Sequence, residues 1–333
     1  MRPYITIRIV FFATIILIGG SARSQKQVDK KPITGKPWKV PLQGKTMLPM
    51  EWVAPGTFIM GSPATEAGRK PDEGPQMEVT LSKGYWMGKT EVTVGQWKAL
   101  MGESLREHVI KMLNDETVYD FGGTKKILRE FMNFDKNDPG KIMANEADSL
   151  PMYFVSWDDA MEFCKKLTAL EKEKKQLPEG YEYILPTEAQ WEYACRAGTS
   201  TSVFTGQLVV QGKNAPLLDD VAWYVGNSGI NYQGKKLGNS GAGPRNAGEK
   251  KPNAWGLQDM PGGIWEWCRD WYGPYSGGKI TDPPGQLTGK GRVNRGGSWG
   301  SGANDSRSAN RASNPQPEKS AYRGFRIALC RVQ

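Results

Sequence analysis

The stretch LPTEAQWEYACRAG, residues 185–198, contains a complete set of helix signals. Pro186 ends the strand that precedes it, and Thr187 with Gln190 three residues later has the spacing of a capping box. The closing Arg-Ala-Gly at 196–198 marks a helix end, because glycine is favoured just beyond the last helical turn. The pattern therefore predicts a helix between these two signals.

The same capping pattern precedes two further segments. Thr93 with Gln96 predicts a helix that runs through Met101, and Ser156 with Asp159 starts a longer one. In the longer helix, apolar residues recur at i, i+3, i+4 and i+7, which places one stripe toward a core. That stripe is made of Ala160, Phe163, Cys164 and Leu167.

Short strands and turns make up most of the remaining chain. The strand predictions fall at 50–62, 76–93, 264–268, 292–296 and 323–330, and Gly, Asn, Pro and Trp dominate beyond residue 200. Two strong helices among many short strands and long loops indicate an α+β fold in one domain.

The N-terminus has the features of an export signal. A basic start with Arg2 and Arg8 is followed by an apolar run that is too short for a comfortable membrane span, and a cleavage signal ends at Ser24. We therefore predict a signal peptide over 1–24, a flexible linker over 25–46 and a folded domain over 47–333. The protein is expected in the periplasm, the cell envelope or the medium, with membrane contact only through an uncleaved signal segment.

Residues 102–148 differ from their surroundings. Two amphipathic stretches around Gly122-Gly123 predict a pair of extra helices. Such an insertion is either a surface decoration or a lid or partner-docking element.

The chain has one histidine, His108, and this count excludes whole classes of active site. Three-histidine zinc sites and facial-triad iron sites need more, and a Ser-His-Asp triad would have to use this one. Because charged residues flank it in a predicted helix, we expect His108 at the surface.

The four cysteines, at positions 164, 195, 268 and 330, have apolar neighbours and no C-x-x-C spacing. They indicate neither a redox pair nor a zinc ribbon. We expect at least two buried free thiols, and the sequence does not decide whether the other two cysteines form a disulfide.

The net charge of +9 comes without a basic block or a nucleic-acid motif, so no nucleic-acid partner is expected.

Seven stretches, in order, together resemble the formylglycine-generating enzyme family, also called the sulfatase-modifying factor family. They are PMEWVAPGTFIMGS (49–62), KTEVTVGQW (89–97), LPMYFVSWDDAMEFCKKL (150–167), LPTEAQWEYACRAG (185–198), KPNAWGLQDMPGGIWEWCRDWYG (251–273), RVNRGGSW (292–299) and YRGFRIAL (322–329). The resemblance implies a single C-type-lectin-like domain with little regular secondary structure.

The resemblance also implies where the chemistry would lie. The family's best-known enzyme oxidises a sulfatase cysteine to formylglycine with O₂ and a copper ion that two cysteines hold, just after a Gly-Gly-Ser motif. Here the motif is present, but the first cysteine position holds Ser301 and the second Ser306, or Ala303 in another alignment. Because Cu(I) needs soft thiolate ligands, no copper is expected.

We therefore expect an exported, non-catalytic binding or assembly module for a peptide, protein or glycan, with an envelope complex as a further option. The alternative is an enzyme of this family, which either oxidises a sulfatase cysteine or catalyses another reaction that does not need the thiol pair. The pocket is expected between 223–232, the aromatics of 265–273 and the loop 295–311. Its candidate residues are Trp265, Ser298, Asn304, Asp305 and Arg307, with Ser301.

Five arginines recur around these motifs: Arg295, Arg307, Arg311, Arg323 and Arg326. We expect them to pair with Asp270, Glu188 and Glu192; any that faced the pocket would favour an anionic glycan or acidic peptide.

By resemblance, a structural calcium ion is expected in the segment GLQDMPGGIWEW, residues 256–267. The ligands carry over to the side chains of Asp259 and Glu266 and the carbonyls of Gly262 and Ile264. Hard Ca²⁺ prefers several oxygen ligands, which a glycine turn between two carboxylates supplies. The alternative is that Asp259 caps a turn and Glu266 pairs with an arginine.

Overall fold

A computed structural model describes residues 31–143, 145–229 and 243–332. The predicted signal peptide, the first residues of the predicted linker and the end of the 223–232 segment lie outside these ranges. The strands are Trp38–Pro41 (β1), Met47–Val53 (β2), Gly56–Met60 (β3), Met77–Leu81 (β4), Tyr85–Gly88 (β5), Val118–Asp120 (β6), Lys125–Ile127 (β7), Tyr181–Ile184 (β8), Trp265–Trp271 (β9), Gly278–Thr281 (β10), Arg292–Arg295 (β11), Arg311–Asn314 (β12), Arg323–Gly324 (β13) and Ala328–Arg331 (β14). The helices are Val94–Met101 (α1), Leu105–Leu113 (α2), Leu128–Phe131 (α3), Pro139–Ile142 (α4), Trp157–Glu173 (α5), Glu188–Arg196 (α6) and Pro216–Asp219 (α7).

An antiparallel five-stranded sheet in the order β1-β2-β5-β14-β8 is buried on both faces. Along β14, Leu329 belongs to an apolar cluster with α1 and α5, whereas Ala328 and Cys330 belong to a second cluster with α6. Successive strand residues point to opposite faces, so one strand supplies two cores. The expected α+β architecture is confirmed.

Two smaller sheets complete the part that carries the site. Strands β10, β4 and β3 form a three-stranded sheet, and β12, β11, β9 and β13 form a four-stranded one. In the second, β9 pairs antiparallel with β11 and parallel with β13. The loop 296–310 joins β11 to β12, so both of its ends lie on this sheet.

All three predicted capping boxes are present. The hydroxyls of Thr93, Ser156 and Thr187 accept hydrogen bonds from the backbone three residues on, at α1, α5 and α6 respectively. Helix α6 then ends at Ala197, whose φ of 45° is left-handed. A side-chain cap therefore starts α6 and a left-handed backbone turn ends it, and both lie where the sequence predicts the helix ends.

The predicted linker 25–46 already contains folded sequence. Strand β1 pairs with β2, and Trp38, Val40 and Leu42 are buried. Because lysines and prolines surround these residues, the sequence pattern does not indicate a strand there. The strand has only four residues, and its alternate side chains, Trp38 and Val40, are buried. The prediction that folding starts at residue 47 is wrong by at least nine residues.

The insertion 102–148 contains one of its two predicted helices. Helix α2 forms, but the second predicted helix is replaced by a hairpin of β6 and β7 followed by the four-residue α3. Gly122 and Gly123 both have positive φ angles and form the turn of the hairpin between β6 and β7. The rings of Phe121 and Phe131 stack at 3.9 Å, a contact between hairpin and helix that periodicity alone does not reveal.

His108 is buried, so the expectation of a surface position is wrong. Its Nδ1 lies 2.8 Å from Glu103 Oε1, and its Nε2 lies 3.0 Å from the carbonyl oxygen of Phe154. The ring also meets Trp97 edge-on. These contacts join the insertion to the main core and give His108 a structural role.

All four cysteines are buried free thiols, as expected for at least two of them, and no disulfide joins them. Among the described residues, no helix is both long enough and apolar enough to span a bilayer.

Helix α6 carries two buried carboxylates one turn apart. Glu192 accepts hydrogen bonds from the Gly61 amide at 2.9 Å, from Arg196 and from Arg295. Glu188 accepts two from Arg311, at 2.6 and 2.8 Å. Since Arg295 and Arg311 flank the loop 296–310, this helix holds both ends of the loop.

We predict that Glu192→Gln lowers the free energy of unfolding by about 3–5 kcal/mol, because the buried Arg196 and Arg295 would both lose the carboxylate that they share. Denaturant unfolding measures the change. Glu162→Gln on α5 is the matched control: its side chain is 57% exposed and it pairs with Lys165, so its loss is expected to stay below about 1 kcal/mol. Equal losses in the two variants would contradict the role assigned to Glu192.

Candidate functional site

Gly296 and Gly297 make the turn that leads β11 into the loop. Their φ angles are 98° and 79°, in the region that favours glycine. A side chain on Gly296 would come within 3.0 Å of the Met260 carbonyl oxygen, and one on Gly297 within 3.0 Å of the Asp305 carbonyl oxygen. Close backbone packing therefore requires both glycines.

The hydroxyl of Ser301 lies at the centre of a small hydrogen-bonded cluster. It accepts from the Trp265 indole N–H and from the Ser298 amide, each at 3.1 Å. A third contact, of 2.9 Å, joins it to the Ser298 hydroxyl. Because both acceptor sites of Ser301 are filled, its own proton is directed at Ser298 Oγ.

Beside this cluster lies an aromatic surface, which we define as Trp265, Ser301 and Tyr322. Tyr322 is 44% exposed, and its ring packs on Trp299 with centroids 4.5 Å apart. A Cβ on Gly300 would come within 2.5 Å of the Tyr322 ring, so the absence of a side chain there lets the ring lie flat on the loop. The structure thus presents one aromatic ring beside fixed hydroxyl groups.

The segment predicted to line the pocket does lie against the loop in its described part. The Val225 amide donates to the Ser301 carbonyl at 3.0 Å, and the Ser228 hydroxyl donates to the Trp299 carbonyl at 2.5 Å. The aromatics of 265–273 do not stay together, however. Trp267 is fully buried, and Trp271 stacks on Arg292.

The other predicted pocket residues lie apart from this surface. Asn304 is exposed beside Gly68, and Asp305 pairs with Lys70 at 3.0 Å. Arg307 is fully buried between Glu66 and Glu73, so it cannot line a pocket. The structure therefore brings together Trp265, Ser298 and Ser301, but not the remaining candidates.

The two alternatives for the second copper-ligand position are both inside the protein. Ser306 Oγ is buried without a hydrogen-bond partner, and Ala303 is 4% exposed. A Cβ on Gly297 would lie 3.1 Å from Ser306 Oγ, so Ser306 belongs to the packing of the glycine turn.

The five arginines that recur around the family motifs all point into the protein and form ion pairs with carboxylates, as expected. Some of these carboxylates differ from the expected partners. Glu192 and Glu188 hold Arg295 and Arg311. Asp270 pairs with none of them, which corrects the prediction; it accepts the Glu188 amide at 2.8 Å. The remaining pairs are Arg307 with Glu66 and Glu73, Arg323 with Glu318, and Arg326 with Glu266.

A carboxylate from outside the segment expected to hold calcium, Glu91, lies beside Asp259, and sequence reasoning missed it. Both oxygens of Glu91 and Oδ1 of Asp259 are buried without a hydrogen-bond partner. A Cβ on Gly263 would lie 2.5 Å from Glu91 Oε1, so glycine leaves room for this carboxylate. Burial and the Asp259 charge raise the pKa of Glu91 well above its usual range, and burial raises the pKa of Asp259 to about 6.

Both carboxylate oxygens of Glu266 already accept hydrogen bonds from other side chains. Its two oxygens accept from Arg326, each at 2.6 Å, and one also accepts from the Trp191 indole at 2.7 Å. Among the described residues, no group of three or more acidic, cysteine or histidine side chains is placed to hold a metal ion. Any cation in this segment would therefore rely on Asp259, Glu91 and backbone carbonyls.

No sequence signal singled out Glu91 or Tyr322. Glu91 precedes a capped helix, where an acidic residue is normally solvated. Tyr322 is one of twelve tyrosines. Only the contact of distant segments shows that the first is buried beside Asp259 and the second is exposed beside Ser301.

We predict a pH effect on stability from Asp270. Burial and the neighbouring Glu188 charge raise its pKa to about 7, from about 3.9 in an unfolded chain. The folded state therefore holds a proton that the unfolded state has lost, and this stabilisation disappears as pH rises through about 7. Unfolding free energies of the wild type and of Asp270→Asn, measured from pH 4 to 8, should show the wild type losing stability relative to the variant; parallel profiles would contradict the assignment.

Comparison with known proteins agrees with this architecture. Residues 39–330 match the Sulfatase-modifying factor enzyme 1-like domain. The chain is 26% identical to the formylglycine-generating enzyme of Mus musculus over 334 aligned positions, which cover 93% of this chain and 82% of the mouse protein. It is 27% identical to the chaperone protein LppX of Paenibacillus barcinonensis, over 68% of this chain and 72% of that protein.

Among solved structures, PvdO from Pseudomonas aeruginosa is similar in fold. The TM-score is 0.61 at 23% sequence identity, over 90% of this chain and 99% of PvdO. Because the matched domain spans nearly all the described residues and carries the glycine turn, the loop and helix α6, the chain belongs to the sulfatase-modifying factor family.

Proposed function

We propose that this protein is an exported, non-catalytic member of the family that binds a peptide or glycan on the aromatic surface of Trp265, Ser301 and Tyr322. The observation that carries the proposal is the state of the Ser301 hydroxyl, which two N–H donors and Ser298 hold in place. A serine nucleophile needs a neighbouring base, and the contacts of Ser301 include no histidine, lysine or carboxylate. Export rests on the N-terminal sequence over 1–24.

The donor groups of the loop do not fit a copper ion. The residues at the copper-ligand positions offer hydroxyl oxygen or a methyl group, whereas Cu(I) prefers thiolate sulfur. Ser301 is also engaged in three hydrogen bonds. We therefore assign no oxidation step to this loop.

The chemistry of the aromatic surface favours a neutral partner. An exposed tyrosine ring beside hydroxyl groups suits stacking on a sugar ring or a peptide side chain, with hydrogen bonds at the edge. The five arginines are at most 7% exposed and paired, so they supply no free positive charge there. The expected preference for an anionic glycan or acidic peptide therefore has no basis at this surface.

We also propose that a calcium ion binds beside Asp259. Three carboxylate oxygens there, from Asp259 and Glu91, accept no hydrogen bond from any other described residue, and the two carboxyl groups contact each other. This contact is costly unless a proton or a cation lies between them. The carbonyls of Gly262 and Ile264 belong to the same turn, and hard oxygen ligands are those that Ca²⁺ prefers. In this proposal Glu91 takes the ligand role first expected of Glu266, and Glu266 supports the turn through Arg326.

Binding is tested with glycan and peptide arrays followed by titration of the strongest hit. We expect Tyr322→Ala to weaken that binding by about 2 kcal/mol, or about thirtyfold, because an exposed aromatic contact at a binding centre typically carries that much. Leu287→Ala is the control, since it removes an exposed apolar side chain elsewhere. Absence of any hit, or equal weakening in both variants, would count against the proposal.

Catalysis is tested with Cu(I), O₂ and a cysteine peptide taken from a sulfatase. We expect no aldehyde in the product from the wild type, with a copper-dependent formylglycine-generating enzyme as positive control. Aldehyde that forms with copper and disappears in Ser301→Ala would establish the enzymatic alternative instead.

Calcium binding is tested by thermal unfolding with and without Ca²⁺. We expect Ca²⁺ to raise the melting temperature of the wild type, because an ion that binds only the folded state adds about 2.7 kcal/mol at one hundred times its dissociation constant. Asp259→Asn and Glu91→Gln should lose the shift.

Glu171→Gln is the matched control for that experiment. Glu171 is also a buried carboxylate whose oxygens lack hydrogen-bond partners, but it lies on α5 and near Lys174. The calcium proposal fails if the wild type shows no shift, or if the shift survives in Asp259→Asn.

A further inference from the structure

A cavity of about 260 Å³ lies between the turn that joins β4 to β5, the start of α6 and the end of β14. Strand β9 and the segment after β10 complete its walls. None of the residues assigned above to the aromatic surface or to the calcium site lines this cavity. Its volume is slightly below the usual range for sites that enclose drug-sized molecules, so it suits a smaller ligand.

Three cations line the cavity without an acidic partner. They are Lys83, Arg269 and Arg331, and among the described residues none has a carboxylate oxygen within 4.0 Å of its charged nitrogens. Arg269 is half-buried, and within the described part of the chain its guanidinium group donates no hydrogen bond. The five arginines around the loop 296–310 are hydrogen-bonded inside the protein, whereas the Arg269 guanidinium group remains accessible from the cavity.

The one carboxylate in the wall does not neutralise these cations. Asp282 accepts the Ser82 amide at 2.8 Å and the Ser82 hydroxyl, and both contacts hold its carboxylate against the turn between β4 and β5. The lining therefore carries three positive charges and one negative charge, a net charge of about +2 at neutral pH.

The other polar groups in the wall are neutral. Burial raises the pKa of the Cys330 thiol to about 12 and the pKa of Tyr85 well above its usual range. The Gln190 side chain donates to Cys330 Sγ at 3.4 Å, and the Tyr85 hydroxyl donates to the Gln190 carbonyl at 2.7 Å. These groups satisfy one another, so the positive charges determine what the cavity attracts.

The rest of the wall is apolar and comes from Leu81, Ile184 and Pro283. An inorganic anion alone would leave this surface in contact with water. A molecule with an oxyanion group and a short apolar body would pair with the cations and also cover the apolar wall.

We propose that this cavity binds a small amphipathic organic anion, with its carboxylate or phosphate on the guanidinium group of Arg269 and its apolar part against Leu81 and Ile184. Lys83 and Arg331 are both exposed at the rim of the cavity, where their charges add long-range attraction for the anion as it enters from solvent. The site is a second binding function of the domain and does not depend on the aromatic surface.

Four probes test the proposal by isothermal titration of the full chain: phenylacetate, phenyl phosphate, inorganic phosphate and the neutral phenylacetamide. We expect at least one of the first two to bind with a dissociation constant below about 1 mM. Phenylacetamide, which lacks the charge, and inorganic phosphate, which lacks the apolar body, should each bind at least about tenfold more weakly, a difference of about 1.4 kcal/mol. The stronger of phenylacetate and phenyl phosphate identifies the oxyanion that the site prefers.

Arg269→Gln should weaken binding of the preferred probe by at least about tenfold, and Arg269→Lys should restore part of it. The matched control is Arg106→Gln, which removes the same charge from an exposed pair with Glu146 and should leave the affinity unchanged. If Arg269→Gln does not fold, the double variant Lys83→Gln with Arg331→Gln removes two exposed charges and should still weaken binding. Equal binding of phenylacetamide, equal weakening by Arg106→Gln, or no saturable binding of either organic anion would overturn the proposal.

Discussion

The path of the loop 296–310 depends on buried ion pairs between helix α6 and the two arginines that flank the loop. Arg295 precedes the loop and Arg311 follows it, and both side chains reach carboxylates on the same helix, Glu192 and Glu188. A buried guanidinium without its counter-ion is very unfavourable, so the two ends of the loop have one allowed position. The glycine turn then sets the direction in which the chain leaves β11.

This arrangement has a consequence for binding. Because Arg295, Arg307, Arg311, Arg323 and Arg326 all pair with buried glutamates, they bring no free positive charge to the aromatic surface of Trp265, Ser301 and Tyr322. The Ser301 hydroxyl in this loop is used for internal hydrogen bonding. Lys83, Arg269 and Arg331, which have no acidic partner in the described part of the chain, instead line a different cavity.

Features that depend on nearest neighbours were predictable. The boxes at Thr93, Ser156 and Thr187 start their helices because a capping hydroxyl and its amide partner are three residues apart in any context. The second predicted helix of the insertion fails because its first residues, Lys125–Ile127, pair with β6 as a strand, and only Leu128–Phe131 form a helix. His108 was misplaced because its flanking charges are polar neighbours along the chain but not in space.

By itself, the sequence determined the family resemblance, the helix starts, the α+β class and the lack of thiols at the two copper-ligand positions. Each of these is a matter of residue identity or short-range spacing. Only the tertiary structure decided which arginine pairs with which glutamate, that Glu91 joins Asp259, and that Tyr322 lies beside Ser301. Those contacts join residues far apart in the chain, and they are selected by burial, where an unpaired charge or an unfilled space is costly and water cannot compensate.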